Sequence, residues 1–257
     1  MSHLAGASVE VIWHDVECGG YGADLGLWSE LAADAGGPIL DLGCGTGRVA
    51  LHLARRGHDV LGVDREAALV EELNARADGL PASATAGDAA HLDLGREFPL
   101  ALAPMQLIQL LPDEERSVCL RGIAGHLRPG GTAALAIVEE VELEEDGAPF
   151  WRQATEKRPI EPPLPDTREV DGVVYSSLPL PTELEDDALL VRRLRQTVSH
   201  EGLLSEEEDT IALRILDADR LEHEALTAGL EPLPRRCIPP TEDHVGSTVV
   251  LLRKGGA

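Results

Sequence analysis

The chain has few basic residues. Of its 257 residues, 22 are Lys or Arg and 46 are Asp or Glu, which gives a formal net charge of −24. Lysine occurs only at positions 157 and 254. A field of this sign repels the phosphates of DNA and RNA, so a nucleic-acid partner is not expected.

Long apolar runs are also absent from the sequence. No segment approaches the roughly 18 consecutive apolar residues that a membrane span needs. The first 15 residues lack the basic start and apolar core of a signal peptide. We therefore expect a cytoplasmic protein with no membrane partner.

Cysteines are few and scattered. The four are Cys18, Cys44, Cys119 and Cys237, and no two form a Cys-x-x-Cys pair. Neither a disulfide framework nor a zinc site is expected from this spacing. The nine histidines are spread too widely to predict a metal cluster.

Alternating strand-like and helical patterns fill the first half of the chain. Strands are predicted at 38–42, 59–64, 81–88, 98–104 and 132–141, and helices at 47–57, 65–79 and 112–131. This alternation favours a mostly parallel sheet that is covered by helices on both faces.

The second half of the chain changes character. Residues 142–170 are acidic and rich in proline, which predicts an irregular connection. Three antiparallel strands, separated by acidic turns, are predicted after it, and a helix and a strand close the chain. Those strands are 172–180, 189–200 and 209–216, and the closing elements are 217–230 and 246–253. The predicted units are a helical lid (1–35), an α/β unit (36–145 and 217–257) and an insertion (146–216).

The stretch "LDLGCGTG" (40–47) joins the first strand to a helix. A phosphate-binding P-loop needs a Gly-Lys-Ser/Thr ending, but residues 46–48 are Thr-Gly-Arg. A dinucleotide fingerprint needs its third glycine one position later than Gly47. Asp41, at the end of the strand, would repel a pyrophosphate and attract an ammonium or sulfonium group. The loop therefore favours a cationic or zwitterionic small molecule with an adenosine-like tail.

These motifs together resemble the class I S-adenosylmethionine-dependent methyltransferases. The matching segments are residues 40–47, Asp64 after the second strand, "GDA" (87–89) after the third, and "HLRPGG" (126–131) before the fifth. The resemblance covers about residues 10–141 and the closing helix and strand. It implies a Rossmann-like, doubly wound, seven-stranded sheet. The antiparallel insertion after strand five is similar to that of glycine and sugar N-methyltransferases.

The resemblance also implies roles for single residues toward S-adenosylmethionine. Asp41 is expected to bind the amino group of the methionine part, Asp64 the ribose hydroxyls, and Asp88 the adenine amino group. Arg65 is expected beside the adenine, and Tyr21 against the cofactor. The full set of expected cofactor-binding residues is Tyr21, Asp41, Gly43, Cys44, Gly45, Asp64, Arg65, Asp88, Ala89 and Ala103.

The chemistry of methyl transfer narrows the acceptor. A sulfonium methyl group is already activated, so the protein must mainly align the acceptor and exclude water. The segment "LAPMQLIQLL" (102–111) lacks the Asn/Asp-Pro-Pro-aromatic motif of enzymes that methylate nucleic acids and glutamine. It also lacks the acidic ligands of metal-dependent catechol enzymes. A small-molecule acceptor, methylated at O or N without a metal, is predicted.

No catalytic residue is fixed by the sequence. His14 and His200 are the candidates for a base, and His14, Gln106 and Gln109 are the candidates for binding the acceptor. Three arginines at 192, 193 and 195 are candidates for gripping an acidic acceptor or for closing a homodimer. Two alternatives to the enzyme remain open, which are a non-catalytic S-adenosylmethionine-binding regulator or scaffold and an NAD(P)-dependent oxidoreductase.

Overall fold

The computed structural model describes residues 8–139, 164–241 and 244–256. The helices are α1 (Val9–Glu17), α2 (Leu25–Ala35), α3 (Arg48–Ala54), α4 (Ala67–Arg76), α5 (Asp113–His126) and α6 (Ala218–Thr227). The strands are β1 (Ile39–Leu42), β2 (Val60–Asp64), β3 (Ala82–Ala86), β4 (Phe98–Ala103), β5 (Leu127–Ile137), β6 (Asp166–Val170), β7 (Val173–Pro179), β8 (Glu183–Glu185), β9 (Ala188–Ser199), β10 (Gly202–Arg214), β11 (Leu230–Ile238) and β12 (Ser247–Lys254). A 3-10 helix spans Leu107–Leu110.

Seven strands form one sheet in the order β11-β12-β5-β4-β1-β2-β3. Strands β1 to β5 run parallel to one another, and β12 pairs antiparallel with β5 and β11. The order reverses beside β1, which is the point where open α/β sheets bind ligands at the carboxyl ends of their strands. The predicted Rossmann-like, doubly wound fold is confirmed.

Helices cover both faces of this sheet. One face packs against α5 and α6 through buried side chains such as Leu120, Ile123 and Leu221. The other face packs against α2, α3 and α4 through side chains such as Trp28 and Leu53. All residues of β1 and β4 are buried, as expected for parallel strands covered on both faces.

The prediction for the start of β5 was wrong. The helix was expected to run to residue 131, but α5 ends at His126 and β5 begins at Leu127. The Pro-Gly-Gly segment lies inside the strand, where the pairing with β4 shifts register between Phe98 and Leu100. Gly130 accommodates this irregularity with a φ of 75°.

Five more strands follow β5 and form an antiparallel sheet, in the order β10-β9-β7-β6 with β8 also paired to β9. The prediction of three strands was too few. Residues 166–170, expected to be irregular, form β6, while 142–163 of that connection lie outside the described residues. The acidic residues 201–208 were expected to form a turn, but β10 begins at Gly202 and the turn lies at 200–201. Because β10 is an edge strand, its acidic side chains stay in water and oppose pairing with another strand edge.

Helix α1 lies between the two sheets. Ser8 caps its first turn, and Val11, Ile12 and Val16 are buried on it. These side chains share an apolar cluster with Leu69 of α4 and Val170 of β6. The helix thus connects the five-stranded sheet with the side of the seven-stranded sheet that carries the glycine loop. Within the described ranges, no helix combines the length and the apolar character needed to cross a bilayer.

Candidate functional site

A cleft of about 290 Å³ opens where the glycine loop after β1 meets α1 and the end of β4. It lies at the carboxyl edge of the parallel strands, beside the reversal of strand order. The lining residues are His14, Cys18, Asp41, Gly43, Cys44, Arg48, Val49, Pro104 and Met105. Four of the residues predicted from the sequence to bind the cofactor or the acceptor are therefore together, namely Asp41, Gly43, Cys44 and His14.

The glycines of the loop all have left-handed backbone conformations. Gly43, Gly45 and Gly47 have φ values of 65°, 52° and 96°, which favour glycine. A methyl group added at Gly47 would press against Leu51 and Leu73, so this glycine allows the helix to pack closely. A methyl group at Gly45 would instead overlap the imidazole of His14, so the bare backbone there provides room for that ring.

Asp41 is a buried carboxylate without a partner. Its exposed fraction is 1%, and neither carboxylate oxygen has a hydrogen-bond partner. Burial raises the pKa of Asp41 to about 7, and the positive charge of Arg48 offsets only part of that effect. Because unpaired buried carboxylates are costly, this group fits a ligand that brings its own positive charge.

Arg48 is the charged residue of the cleft that sequence reasoning missed. Its guanidinium pairs with both carboxylate oxygens of Asp24 at 2.6 and 2.8 Å and donates to the backbone oxygen of Tyr21. The guanidinium also lies 5.2 Å from the centre of the Tyr21 ring, which in turn stacks on His244. Tyr21 therefore reaches the cleft through Arg48. For Arg48, the signal available in the sequence was its position directly after Gly47, the last glycine of the loop.

Asp64 fixes the shape of the loop. Its Oδ2 accepts a hydrogen bond from the amide of Gly45 at 2.8 Å, and its Oδ1 accepts from the amide of Glu66 at 3.0 Å. Each carboxylate oxygen keeps a further lone pair for a ligand. The neighbouring Arg65 side chain is 83% exposed and lies 3.7 Å from the carboxylate of Glu66.

Asp88 and Ala89 follow β3, farther along the same sheet edge. Asp88 is exposed, and its carboxylate accepts from the amide of Ala90 at 2.8 Å and pairs with His91 at 3.0 Å. The hydrogen bond from His91 and that amide lower the pKa of Asp88. Ala89 packs against the apolar core. Neither residue lines the cleft, so their predicted contacts with adenine stay predictions.

The chain after β4 is strained. Met105 and Gln106 have φ values of 50° and 59°, although neither is glycine. Such conformations cost on the order of 1–3 kcal/mol each and concentrate at functional sites. Residues 103–105, at the end of β4, were expected to floor the site: Ala103 is fully buried, and Pro104 and Met105 line the cleft.

The two predicted acceptor-binding glutamines lie in different surroundings. Gln106 is half-buried and donates to the hydroxyl of Ser247 at 3.2 Å. Gln109 is 3% exposed, and its amide bonds to both backbone groups of Val138 and to the oxygen of Arg214. Because the described contacts satisfy the Gln109 amide, this residue ties the end of β5 to the end of β10.

The two candidate bases are also far from equivalent. His14 lines the cleft, and its Nδ1 lies 3.3 Å from the hydroxyl of Thr46. Burial lowers the pKa of His14, although the charges of Asp15 and Asp64 act in the opposite direction. His200 lies in the turn between β9 and β10, where it is 87% exposed and faces Glu201.

The three arginines of β9 pair within the chain. Arg192 contacts Glu183 and Glu208, Arg193 contacts Asp166 and Ser177, and Arg195 contacts Glu17 and Asp209. The pairs of Arg195 connect this strand to α1. Across the described part of the chain, no group of three His, Cys, Asp or Glu residues is arranged to hold a metal ion.

Comparison with known proteins agrees with this geometry. Residues 39–131 match the sequence model of the methyltransferase domain family. The cypemycin N-terminal methyltransferase of a Streptomyces species is 33% identical over 129 residues, 49% of this chain and 52% of that protein. A carboxy-S-adenosyl-L-methionine synthase of Vibrio vulnificus is 29% identical over 130 residues, 48% and 51% of the two chains. The chain spans about half the length of the curated relatives it matches.

Solved structures show the same fold over nearly the whole chain. The sugar N-methyltransferase KedS8 of a Streptoalloteichus species has a TM-score of 0.68 at 19% identity, covering 99% of this chain and 96% of that chain. At this identity the likeness concerns the fold. Taken with the matched domain at residues 39–131, it confirms the resemblance seen in the sequence. Residues 39–131 therefore carry a methyltransferase domain, and the chain has the fold of these solved methyltransferases.

Proposed function

We propose that this protein transfers the methyl group of S-adenosylmethionine to a small-molecule acceptor, at a nitrogen or an oxygen, without a metal. The observation that carries the proposal is the unpartnered carboxylate of Asp41 in a cleft that Arg48 also lines. An amino acid needs an anion for its ammonium group and a cation for its carboxylate. The cleft offers both groups side by side.

The methionine end of the cofactor is the part that this pair would hold. Its ammonium would neutralise Asp41, which otherwise remains buried and unpaired. Arg48 keeps donors beyond those used by Asp24 and Tyr21, because a guanidinium carries five N–H groups. A diphosphate would bring negative charge toward Asp41, which disfavours a nicotinamide dinucleotide at this site.

S-adenosylmethionine would supply an activated methyl group on a sulfonium ion. The protein would supply position and a dry surrounding. We propose that α1 and the five-stranded sheet form the cover over the acceptor. Trp13 of α1 supports this arrangement, because it contacts Tyr175 edge to face at 5.3 Å and lies under Arg195 at 5.4 Å.

A second cavity, of about 590 Å³, would hold the apolar part of the acceptor. It lies between Gln109, the end of β5 and the five-stranded sheet. Its lining residues are Gln109, Val138, Glu139, Leu184, Leu189, Leu213, Arg214, Ile215 and Leu216. Mostly apolar walls with a few polar groups are typical of small-molecule sites.

Calorimetry with S-adenosylhomocysteine tests the cofactor site. We expect Asp41→Asn to weaken binding by roughly 10- to 100-fold, because the ammonium loses a charged partner. Asp78→Asn, an exposed aspartate after α4, is the matched control and should bind as the unmodified protein does. Equal affinity in all three proteins would remove Asp41 from the site.

Two further measurements separate this function from its alternatives. Binding of NAD(P) but not S-adenosylhomocysteine would favour an oxidoreductase. Transfer of a labelled methyl group to a panel of amines and hydroxyl compounds distinguishes an enzyme from a binding-only regulator. Amines come first in that panel, because KedS8 is a sugar N-methyltransferase.

A homodimer is also proposed, held by exposed apolar side chains of β10 and not by pairing of its acidic edge with a second strand. Leu203, Leu204 and Ile211 of the edge strand β10 are 54%, 61% and 45% exposed. The arginines predicted for such a contact pair within the chain instead, so apolar side chains would have to carry it. Light scattering on the full chain measures the mass directly.

A further inference from the structure

Three polar side chains connect α1 with the glycine loop. The hydroxyl of Thr46, in the loop, donates to Oδ1 of Asp15 at 2.6 Å. The same hydroxyl oxygen lies 3.3 Å from Nδ1 of His14. His14 and Asp15 are neighbours on α1, so one threonine bridges two adjacent side chains of the helix.

Proton counting assigns the direction of each hydrogen bond. A threonine hydroxyl has one proton, and here that proton points to a carboxylate, which accepts only. The hydroxyl oxygen can then only accept from His14, so Nδ1 of the neutral imidazole carries the proton. Its Nε2 is therefore unprotonated.

Asp15 is held in its ionised form. Burial alone would raise its pKa, but hydrogen bonds from Arg76 and Thr46 and the charge of Arg168 outweigh burial and lower the pKa of Asp15. Arg76 donates to both carboxylate oxygens at 3.1 and 2.6 Å, and Arg168 donates at 2.9 Å. An ionised Asp15 cannot return a proton to Thr46, so the assignment of His14 does not reverse.

The His14 side chain lines the cleft, and its unprotonated Nε2 is the ring atom that a methyl group on Gly45 would meet first. Among the described residues, no hydrogen bond involves this nitrogen. It is a free acceptor beside the loop that the proposed function assigns to the cofactor.

We propose that Asp15 and Thr46 are positioning residues that hold His14 in the tautomer whose Nε2 lone pair faces the cleft, where it acts as the general base for the acceptor. This rests on the proposed methyl transfer and deepens it by stating the acceptor class. The acceptor carries a proton on its nucleophile, as an ammonium group or a hydroxyl does.

The chemistry balances with one proton and one electron pair. Nε2 accepts the proton of the acceptor's N–H or O–H group, which frees a lone pair on that atom. This lone pair forms the bond to the methyl carbon while the carbon–sulfur bond breaks and its electrons stay on sulfur as a neutral thioether. The imidazolium then loses its proton to solvent. Base catalysis of this kind contributes roughly 10²- to 10⁴-fold.

Several charged groups face His14 and set its protonation. Asp15 and Glu17 lie on its own helix, Asp64 lies on β2, and Arg76 lies on α4. Asp41 and Arg48 line the same cleft. Because burial lowers the pKa of His14 despite the three carboxylates, the ring is neutral and able to accept a proton at pH 7.

Long-range proton–nitrogen NMR of the ligand-free protein tests the tautomer without any activity measurement. We expect the signals of one imidazole ring with a protonated Nδ1 and an unprotonated Nε2. These signals should be absent from the spectrum of His14→Gln. Thr46→Val should shift this ring toward the Nε2–H tautomer, and Thr46→Ser should restore it. An Nε2–H ring in the unmodified protein would overturn the proposal, and so would a ring that Thr46→Val leaves unchanged.

The pH profile tests the catalytic consequence. We expect kcat/KM to decrease when the pH is lowered through a pKa below 6.5. We also expect His14→Gln to lower kcat by at least about 100-fold. Thr46→Val should lose at least about 10-fold in kcat, Thr46→Ser should recover it, and both should bind S-adenosylhomocysteine within about threefold. If Thr46→Val lost affinity and rate in parallel, Thr46 would be only structural. Failure of S-adenosylhomocysteine to bind the unmodified protein would instead reject the proposed function and leave the NMR result to stand separately.

Discussion

The two sheets of this protein are stabilised in different ways. In the seven-stranded sheet, helices bury both faces, and every residue of β1 and β4 is removed from water. In the five-stranded sheet, the edge strand β10 is mostly exposed, and α1 binds the sheet through charged pairs as well as apolar contacts. The stability of the seven-stranded sheet therefore depends on how its apolar side chains pack. The stability of the five-stranded sheet depends on a few contacts made by α1.

A core substitution should have the largest effect on stability. Leu102 in β4 is fully buried, so we expect Leu102→Ala to lower the free energy of unfolding by about 2–5 kcal/mol. Ile211→Ala on the edge strand should change it by less than about 0.5 kcal/mol, because that side chain is 45% exposed. Urea unfolding measures both. Similar losses of unfolding free energy in the two variants would mean that side-chain packing stabilises both sheets to the same degree.

The buried carboxylate of Asp41 should make the stability of the ligand-free protein depend on pH. Its folded pKa of about 7 lies above the unfolded value, so the folded state binds more protons between about pH 4 and 7. The free energy of unfolding should therefore fall as pH rises through this window and level off above it. The fall attributable to Asp41 is on the order of a few kcal/mol.

Asp41→Asn provides the comparison for that measurement. Urea unfolding at pH 5, 6, 7 and 8 should show a flatter dependence in the variant, and the variant should be the more stable protein at pH 8. It should nevertheless bind S-adenosylhomocysteine more weakly, which separates the cost to stability from the gain in binding. Parallel curves for the two proteins would show that Asp41 does not titrate in this range.

The sequence predicted six strands of the seven-stranded sheet because their signals are local, whereas β11 was missed. Apolar runs, turn glycines and the position of Asp41 all lie within short windows, and the number of seven strands came from the family resemblance. The five-stranded sheet was harder to predict, since the acidic run at 201–208 is typical of a turn. Its place as an edge strand, where acidic side chains are favourable, is visible only once the pairing with β9 is known.

The residues of the candidate site also fall into those with a local sequence signal and those without one. The loop glycines and Asp41 were predicted because their motif is contiguous. Asp15 was missed, because its partners Thr46, Arg76 and Arg168 are 31, 61 and 153 positions away. A lone aspartate in a helix gives no signal of such contacts. The pairing of Glu17 with Arg195 was missed for the same reason, because 178 positions separate the two residues.

The pair between Glu17 and Arg195 should have an intermediate effect, limited to the five-stranded sheet. Glu17 accepts two hydrogen bonds from Arg195, both at 2.7 Å, and one from Ser177 at 2.8 Å. Glu17→Gln leaves the largely buried Arg195 with Asp209, 3.0 Å away, as its remaining charged partner among the described residues, at a cost of about 1–3 kcal/mol. Hydrogen exchange should speed up in β7 and β9 and stay unchanged in β1 and β4. Uniform acceleration would show that the sheets open together.

The smallest effect should come from the exposed pairs of the same strand. Arg192 contacts Glu183 and Glu208, and both carboxylates are more than half exposed, so water and salt screen these contacts. We expect Glu183→Gln to change exchange in β9 by less than about twofold, and 0.5 M NaCl to have no larger effect. The contrast with Glu17→Gln is informative because both changes remove one carboxylate from an arginine of β9. If the two variants behaved alike, burial beneath α1 would add nothing to an ion pair here, and α1 would hold the sheet by its apolar side chains alone.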